Sequence, residues 1–177
     1  MTRKRFLEIL VAFMMMAMLL VIPVKVHAAS SGFSVQPVTS KLQRNKSEPY
    51  FDVIVKPSQS TNLKVKLVNR TKKAIQVKVA IHPAQTNNNG IVDYNGLQKK
   101  DNTLRYDLSR YLKGPKKVTV PANSQQTYSA KLTMPKKQLP GLMAGGLTFS
   151  PVNYTTSTKK SSKLSIVNRF SYGVAVI

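Results

Sequence analysis

From Gly32 onward, apolar side chains recur at every second position. That period is the signature of a strand with one face buried and the other in water, and it leaves little room for a helical fold. Leu63, Val65 and Leu67 alternate with Lys64 and Lys66; Ile75, Val77, Val79 and Ile81 alternate with Gln76, Lys78, Ala80 and His82. Asn69-Arg70-Thr71-Lys72-Lys73 between them is polar and turn-like, so the two strands are expected to form a hairpin. Further strands are expected at Phe33–Val38, Phe51–Val55, Val118–Val120, Thr127–Met134 (Tyr128, Ala130, Leu132 and Met134 inward), Leu147–Phe149 and Ile166–Val176.

Pro and Gly break these runs at Pro49, Pro57, Pro83, Pro115, Pro121, Pro135, Pro140, Gly141 and Pro151. A helical stripe of period 3.6 is confined to Leu104–Leu112. About eight short strands with regular turn signals predict an all-β chain, an immunoglobulin-like β-sandwich, with a small barrel as the alternative.

The first 28 residues read differently. Arg3-Lys4-Arg5 precedes a nearly continuous apolar run from Ile9 to Val24, followed by Val26-His27-Ala28 and Ala29-Ser30-Ser31. These are the basic, apolar and small-residue parts of a secretory signal, with cleavage expected after Ala28. A permanent anchor needs about 20 apolar residues, and this run is shorter and interrupted by Pro23. The domain reading is therefore residues 1–28 as signal and 29–177 as exported domain, which meets a membrane only before cleavage.

Charge and cysteine narrow the setting. The chain carries 28 Lys plus Arg against 6 Asp plus Glu. Loss of Arg3, Lys4, Arg5, Lys25 and Glu8 leaves 24 basic and 5 acidic residues, so the exported part keeps a formal charge of +19. Such a domain is drawn to anionic polymers or surfaces. Cysteine is absent, which excludes a disulfide scaffold and a thiol enzyme and suits an exported Gram-positive surface protein. Lysines on the outward phase first serve solubility and edge protection.

Catalytic chemistry finds little support. A glycosidase needs two carboxylates about 5 to 10 Å apart, and Glu48, Asp52, Asp93, Asp101 and Asp107 form no such motif. His82 is the sole histidine after Ala28 and lacks the companion ligands of a metal site. No G-x-S-x-G elbow occurs, and Gly145-Gly146 reads as close backbone packing or a bulge in a strand rather than a phosphate cradle. The expectation is a protein that is not an enzyme and uses no cofactor or metal.

In their order and spacing, Phe33-Ser34-Val35-Gln36-Pro37-Val38, Tyr50-Phe51-Asp52-Val53, Val55-Lys56-Pro57-Ser58-Gln59, Leu63 to Asn69, Ala84 to Tyr94, Met134-Pro135 and Gly141 to Phe149 resemble the N-terminal peptidoglycan-binding domain of the WxL-interacting proteins. The resemblance runs over residues 33 to 177. It implies an immunoglobulin-like sandwich on a Gram-positive surface, extracellular and associated with the cell wall. It also implies peptidoglycan and WxL-domain surface proteins as partners, in complexes implicated in adhesion. Family members usually continue into a second β-domain, a transmembrane helix and a basic tail. This sequence stops at Ile177 within an alternating pattern, so a form lacking that continuation is expected, and contacts of the second domain are not carried over. Ser58 stands where the family often has Gly.

A wall polymer offers hydroxyls, acetamides, carboxylates and sparse apolar surface, which amide side chains and a few aromatics on loops can meet. Thr86-Asn87-Asn88-Asn89-Gly90 and Tyr94-Asn95-Gly96 supply such groups, making Asn87, Asn88, Asn89, Tyr94 and Asn95 the candidate peptidoglycan contacts; the same residues also suit a plain turn. Charge adds attraction to teichoic acid. The competing reading is an exported cationic adhesin holding anionic host glycans or teichoic acid by charge. Nucleic acid is not expected as a partner, because aromatic platforms are sparse. A pilus chaperone is a third candidate without a matching motif. A WxL-type partner is expected to dock at an exposed sheet edge.

Overall fold

The computed structural model describes residues 3–5, 8, 11, 13–14, 32–98, 101–152 and 170–177, in two compact units, Met1–Ser30 and Ser31–Ile177. In the first unit the described residues are helical and exposed. Among the described residues no helix is long and apolar enough to cross a membrane. The end of the apolar run and the cleavage position after Ala28 lie outside the described residues, as does Ile166–Arg169.

The second unit is built from strands, as the alternation requires: β1 (Phe33–Val38), β2 (Ser60–Asn69), β3 (Ile75–Pro83), β4 (Gln85–Thr86), β5 (Val92–Asp93), β6 (Leu112–Lys113), β7 (Lys117–Val120), β8 (Ser124–Thr133), β9 (Gly145–Val152) and β10 (Tyr172–Val176), with one helical turn, α1 (Leu108–Tyr111). Two open four-stranded sheets are antiparallel throughout, in the orders β1-β2-β8-β6 and β10-β9-β3-β7, and β4 pairs with β5 apart from them. Leu63, Val65 and Leu67 from β2 and Tyr128, Ala130 and Leu132 from β8 share one apolar core with Val77 and Val79 of β3 and Leu147 and Phe149 of β9. Two edge-to-face aromatic pairs join strands of different sheets: Tyr128 with Phe149 at 5.4 Å and Phe33 with Tyr172 at 5.6 Å between ring centroids.

The expected hairpin between Leu63–Leu67 and Ile75–Ile81 does not form. β2 pairs with β1 and β8, and β3 with β7 and β9, so residues 70–74 carry the chain from one sheet to the other. The cause lies in Asn69, which keeps the inward phase of β2 and is 1% exposed. Its Nδ2 donates to the carbonyl oxygens of Lys73, Val120 and Pro121 at 2.8, 3.1 and 2.8 Å. Its Oδ1 accepts from the amide and hydroxyl of Thr71 at 2.9 and 2.7 Å. One buried carboxamide thus ties the crossing to the β7–β8 turn and satisfies backbone groups that a corner would otherwise strand away from water.

Two other expectations change in detail. Phe51–Val55 is not a full strand: only Phe51 forms a bridge beside the last strand, in parallel with Val176, while Val53 bridges Gln43. The amides of Phe51 and Val53 donate to Ala175 and Ile177 at 3.0 and 2.9 Å, so the final residues of β10 are flanked on both sides rather than left as a bare edge. The stripe at Leu104–Leu112 yields a helix only over Leu108–Tyr111, started by the Asp107 side chain accepting from the Ser109 amide, with Leu108 and Leu112 fully buried. Ser58 takes φ 61°, a left-handed conformation that Gly tolerates better, which accounts for the glycine preferred there.

Asn69→Ala is expected to cost about 2–4 kcal/mol, since it leaves buried carbonyls unpaired; urea unfolding measures it. Tyr128 offers a test of opposite sign. Its hydroxyl is buried with no hydrogen-bond partner among the described residues, and burial pushes its pKa up to about 12 from 10.0. The unfolded chain therefore ionises first, and the stability tied to the neutral phenol is intact below pH 10 and lost as pH climbs toward 12. Tyr128→Phe should lie within about 1 kcal/mol of wild type at neutral pH and gain on it progressively above pH 10 in paired urea titrations.

Candidate functional site

Strand order brings several loops to one end of the sandwich. Pro83 closing β3, Gly145 opening β9 and Val176 closing β10 are register partners there, and the connections 84–98 and 134–144 leave from that end. The β4–β5 hairpin rises from it, pairing Gln85 with Asp93 and Thr86 with Val92.

Its tip is built by Asn87. The Asn87 amide donates to the Ile91 carbonyl at 2.9 Å, and its own carbonyl accepts from the Gly90 amide at 3.0 Å. Its Oδ1 also accepts from the amides of Asn89 and Ile91, at 2.9 and 3.1 Å. Gly90 supplies φ +76° with open space around it. Asn88 and Asn89 are carried on this frame, both exposed, with no hydrogen bond to either carboxamide among the described residues. The five candidates thus divide: Asn87 spends its side-chain oxygen shaping the tip, whereas Asn88 and Asn89 hold their amides out to solvent.

Tyr94 and Asn95 occupy a different place. The chain after β5 lies back over the outer face of the β3–β9 pair, where Thr148 Oγ1 donates to the Tyr94 carbonyl at 2.9 Å. Gly146 makes that possible, because a Cβ there would sit 2.7 Å from Tyr94 Cγ. Gly145 is as tight on the inner face, where a Cβ would come 2.5 Å from the His82 carbonyl oxygen and from Leu108 Cδ2. β9 pairs with β3 in unbroken register, so the two glycines serve close packing and not a bulge. His82 lies on the outward phase, half-buried, with Gly96 pressed so near its imidazole that no Cβ would fit. Asn95 Oδ1 accepts from the Leu97 amide at 2.7 Å, and Tyr94 is half-buried while Asn95 is exposed.

The carboxylates are taken up by local structure. Asp52 pairs with Arg44 Nε at 2.8 Å, and Asp107, 1% exposed, caps α1. Asp93 accepts from the Asn95 amide and Glu48 from Asn45 Nδ2. Asp101 accepts from the amide and hydroxyl of Thr103, bonds that hold its carboxyl below the usual range. Among the described residues no three His, Asp or Glu side chains gather as metal ligands would.

Sequence reasoning missed an apolar cavity of about 250 Å³ at the same end. Val53, Val55, Leu132, Met134, Leu139 and Met143 line it together with Ile54 and Leu142, which are 64% and 75% exposed. Leu142-Met143 directly after Pro140-Gly141 was the available signal, an apolar pair in a loop.

The described residues 32–98, 101–152 and 170–177 thus form a two-sheet β-body with two of its longer connections at one end. Residues 33–151, more than half of the sequence, match the peptidoglycan-binding domain of the WxL-interacting proteins, and the chain belongs to that family. No curated protein matches it. Among solved structures it is similar to PapD-like domain 7 of human CEP192, with 13% identity over 87% of this chain and 92% of that one and a TM-score of 0.38. It is also similar to the class 5 fimbriae chaperone CfaA, with 15% identity over 82% of this chain and 56% of that one and a TM-score of 0.41.

Gly146→Ala should push Tyr94 off β9 and cost about 1–3 kcal/mol. Hydrogen exchange is expected to quicken over residues 85–97 while amides of β2 and β8 keep their protection.

Proposed function

We propose that this protein is an exported, non-catalytic module of immunoglobulin-like sandwich type that binds peptidoglycan at the surface of a Gram-positive cell and helps assemble complexes of WxL-domain proteins there. In this reading residues 1–28 are removed after Ala28, and residues 29–177 form the wall-bound domain. The observation that carries it is the family match over residues 33–151, joined by a hairpin that presents free carboxamides.

Each role follows from the chemistry. Asn88 and Asn89 offer both a donor and an acceptor to glycan acetamides and stem-peptide amides. Tyr94 contributes an aromatic face with a polar tip and Asn95 a further exposed amide, while Asn87 keeps the tip rigid so that little ordering entropy is lost on binding. In this reading the wall polymer is held and not cut, and the five carboxylate side chains of the domain serve local structure in a cap, turns and an ion pair. A protein partner has β1 and β7, which end the two sheets, as edges to which a strand can be added.

Pull-down on purified sacculi freed of phosphate polymers tests the reading. Asn88→Ala with Asn89→Ala should lower retention at least tenfold without moving the unfolding midpoint, whereas Asn87→Ala should weaken retention and loosen the hairpin together. Retention should survive high salt, which shortens the reach of exposed charges to about 3 Å at 1 M. Wild-type protein left in the supernatant at every ionic strength would overturn the proposal.

A further inference from the structure

The outer face of the β1-β2-β8-β6 sheet is basic. Lys64, Lys113 and Lys131 are exposed and Lys66 half-exposed, and the side chains around them on that face are mainly hydroxyls and amides such as Gln36, Asn62, Thr127 and Ser129, with Val38 opposite Lys64 and Val68 beyond Lys66. No strand of this sheet carries an acidic residue. Edge protection accounts poorly for this placement, because Lys64 and Lys66 lie on β2 and Lys131 on β8, the two interior strands, whereas protective lysines belong on edges. Lys113 also stands directly opposite Lys131, and like charges so paired destabilise a sheet. Lys113 is pinned there by donating to the Ser109 carbonyl at 2.7 Å, so it cannot swing clear without losing that bond.

Spacing follows from strand geometry. Lys64 and Lys66 are separated by about 7 Å along β2, and Lys131 lies on the next strand opposite Asn62, about 4.8 Å across and two residues along from Lys64. With Lys113 on β6 opposite Lys131, the cations form a diagonal track across three strands, among hydroxyl and amide side chains that can bond the oxygens of a neutral linker. No Phe, Tyr or Trp lies on the outward phase of these four strands, so the face lacks the stacking platforms by which single-stranded nucleic acids are held.

We infer that the Lys64, Lys66, Lys113 and Lys131 face is a binding track for a linear polyol-phosphate polymer, the chemistry of teichoic acids, separate from the loop cluster that meets peptidoglycan. Regularly spaced phosphodiesters neutralise these cations and relieve the Lys113–Lys131 repulsion, and the polyol demands no aromatic. The choice of a wall polymer among polyanions rests on the peptidoglycan reading; the site itself does not.

The test compares three variants of the purified protein for binding to purified polyglycerol-phosphate teichoic acid, beside poly(dT) as control. Lys64→Gln, Lys66→Gln and Lys131→Gln together should weaken binding at least tenfold and make the slope of log K against log salt shallower by about 2, near 0.7 for each lost phosphate contact. Lys72→Gln, Lys78→Gln and Lys117→Gln together, an equal loss of charge that includes the directly opposed Lys78–Lys117 pair of the other sheet, should weaken it less than threefold, so that an opposed lysine pair alone is not enough. Replacement of Lys64, Lys66 and Lys131 by Arg should retain binding, which separates charge from packing. Equal losses in both Gln triples, no loss in either, or poly(dT) bound as tightly as the polymer would overturn the inference. Retention on phosphate-free sacculi should not change in the first triple, so failure here leaves the peptidoglycan reading intact.

Discussion

The domain depends on interdigitation of two inward-facing rows of side chains. Leu63, Val65 and Leu67 of β2 and Tyr128, Ala130 and Leu132 of β8 meet Val77 and Val79 of β3 and Leu147 and Phe149 of β9. Without cysteine, this burial and the ladders of the two sheets must offset the chain entropy alone. A slip of one residue in β2, β3 or β8 would turn its lysines into the core, so the alternation that drives burial also fixes register. The basic face and the apolar core are two sides of one pattern.

On that frame, small residues decide where loops can lie. Gly146 opens the outer face of β9 to Tyr94, and Gly145 opens its inner face to Leu108. The two positions are adjacent and point to opposite sides, so one Gly-Gly step fastens the hairpin segment above the sheet and the helical turn below it. The amide-bearing tip is consequently displayed from a loop seated on rigid strands, the arrangement that limits ordering costs on binding. Polar residues contribute in the same way at the opposite end, where Asn69 holds the crossing between the sheets.

Much of this was legible because strand burial is a local, period-two signal. β1, β2, β3, β7, β8 and β9 lie where the alternation placed them, and Gly145-Gly146 was readable as close packing because a glycine pair in a strand has few other uses. The turn after Leu67 was misread for a physical reason: Asn-Arg-Thr-Lys-Lys has the composition of a hairpin loop, and whether it joins neighbours in one sheet or crosses to another depends on Val120 and Pro121, about fifty residues away. The candidate amides were found by composition, which cannot tell Asn87, whose oxygen is spent on the turn, from Asn88 and Asn89, whose side chains remain free. The apolar cavity escaped because its walls come from distant segments.

The amino-acid sequence alone determined that this chain is strand-built, basic and free of disulfides, because period, charge and cysteine count are properties of neighbours and totals. Tertiary structure alone decided which sheet each strand joins, that Asn69 is a buried corner, that Tyr94 lies on Gly146, and that four lysines share one sheet face. Those outcomes depend on contacts between residues far apart in the chain, set by which pairing buries the most apolar surface while leaving the fewest backbone groups unsatisfied.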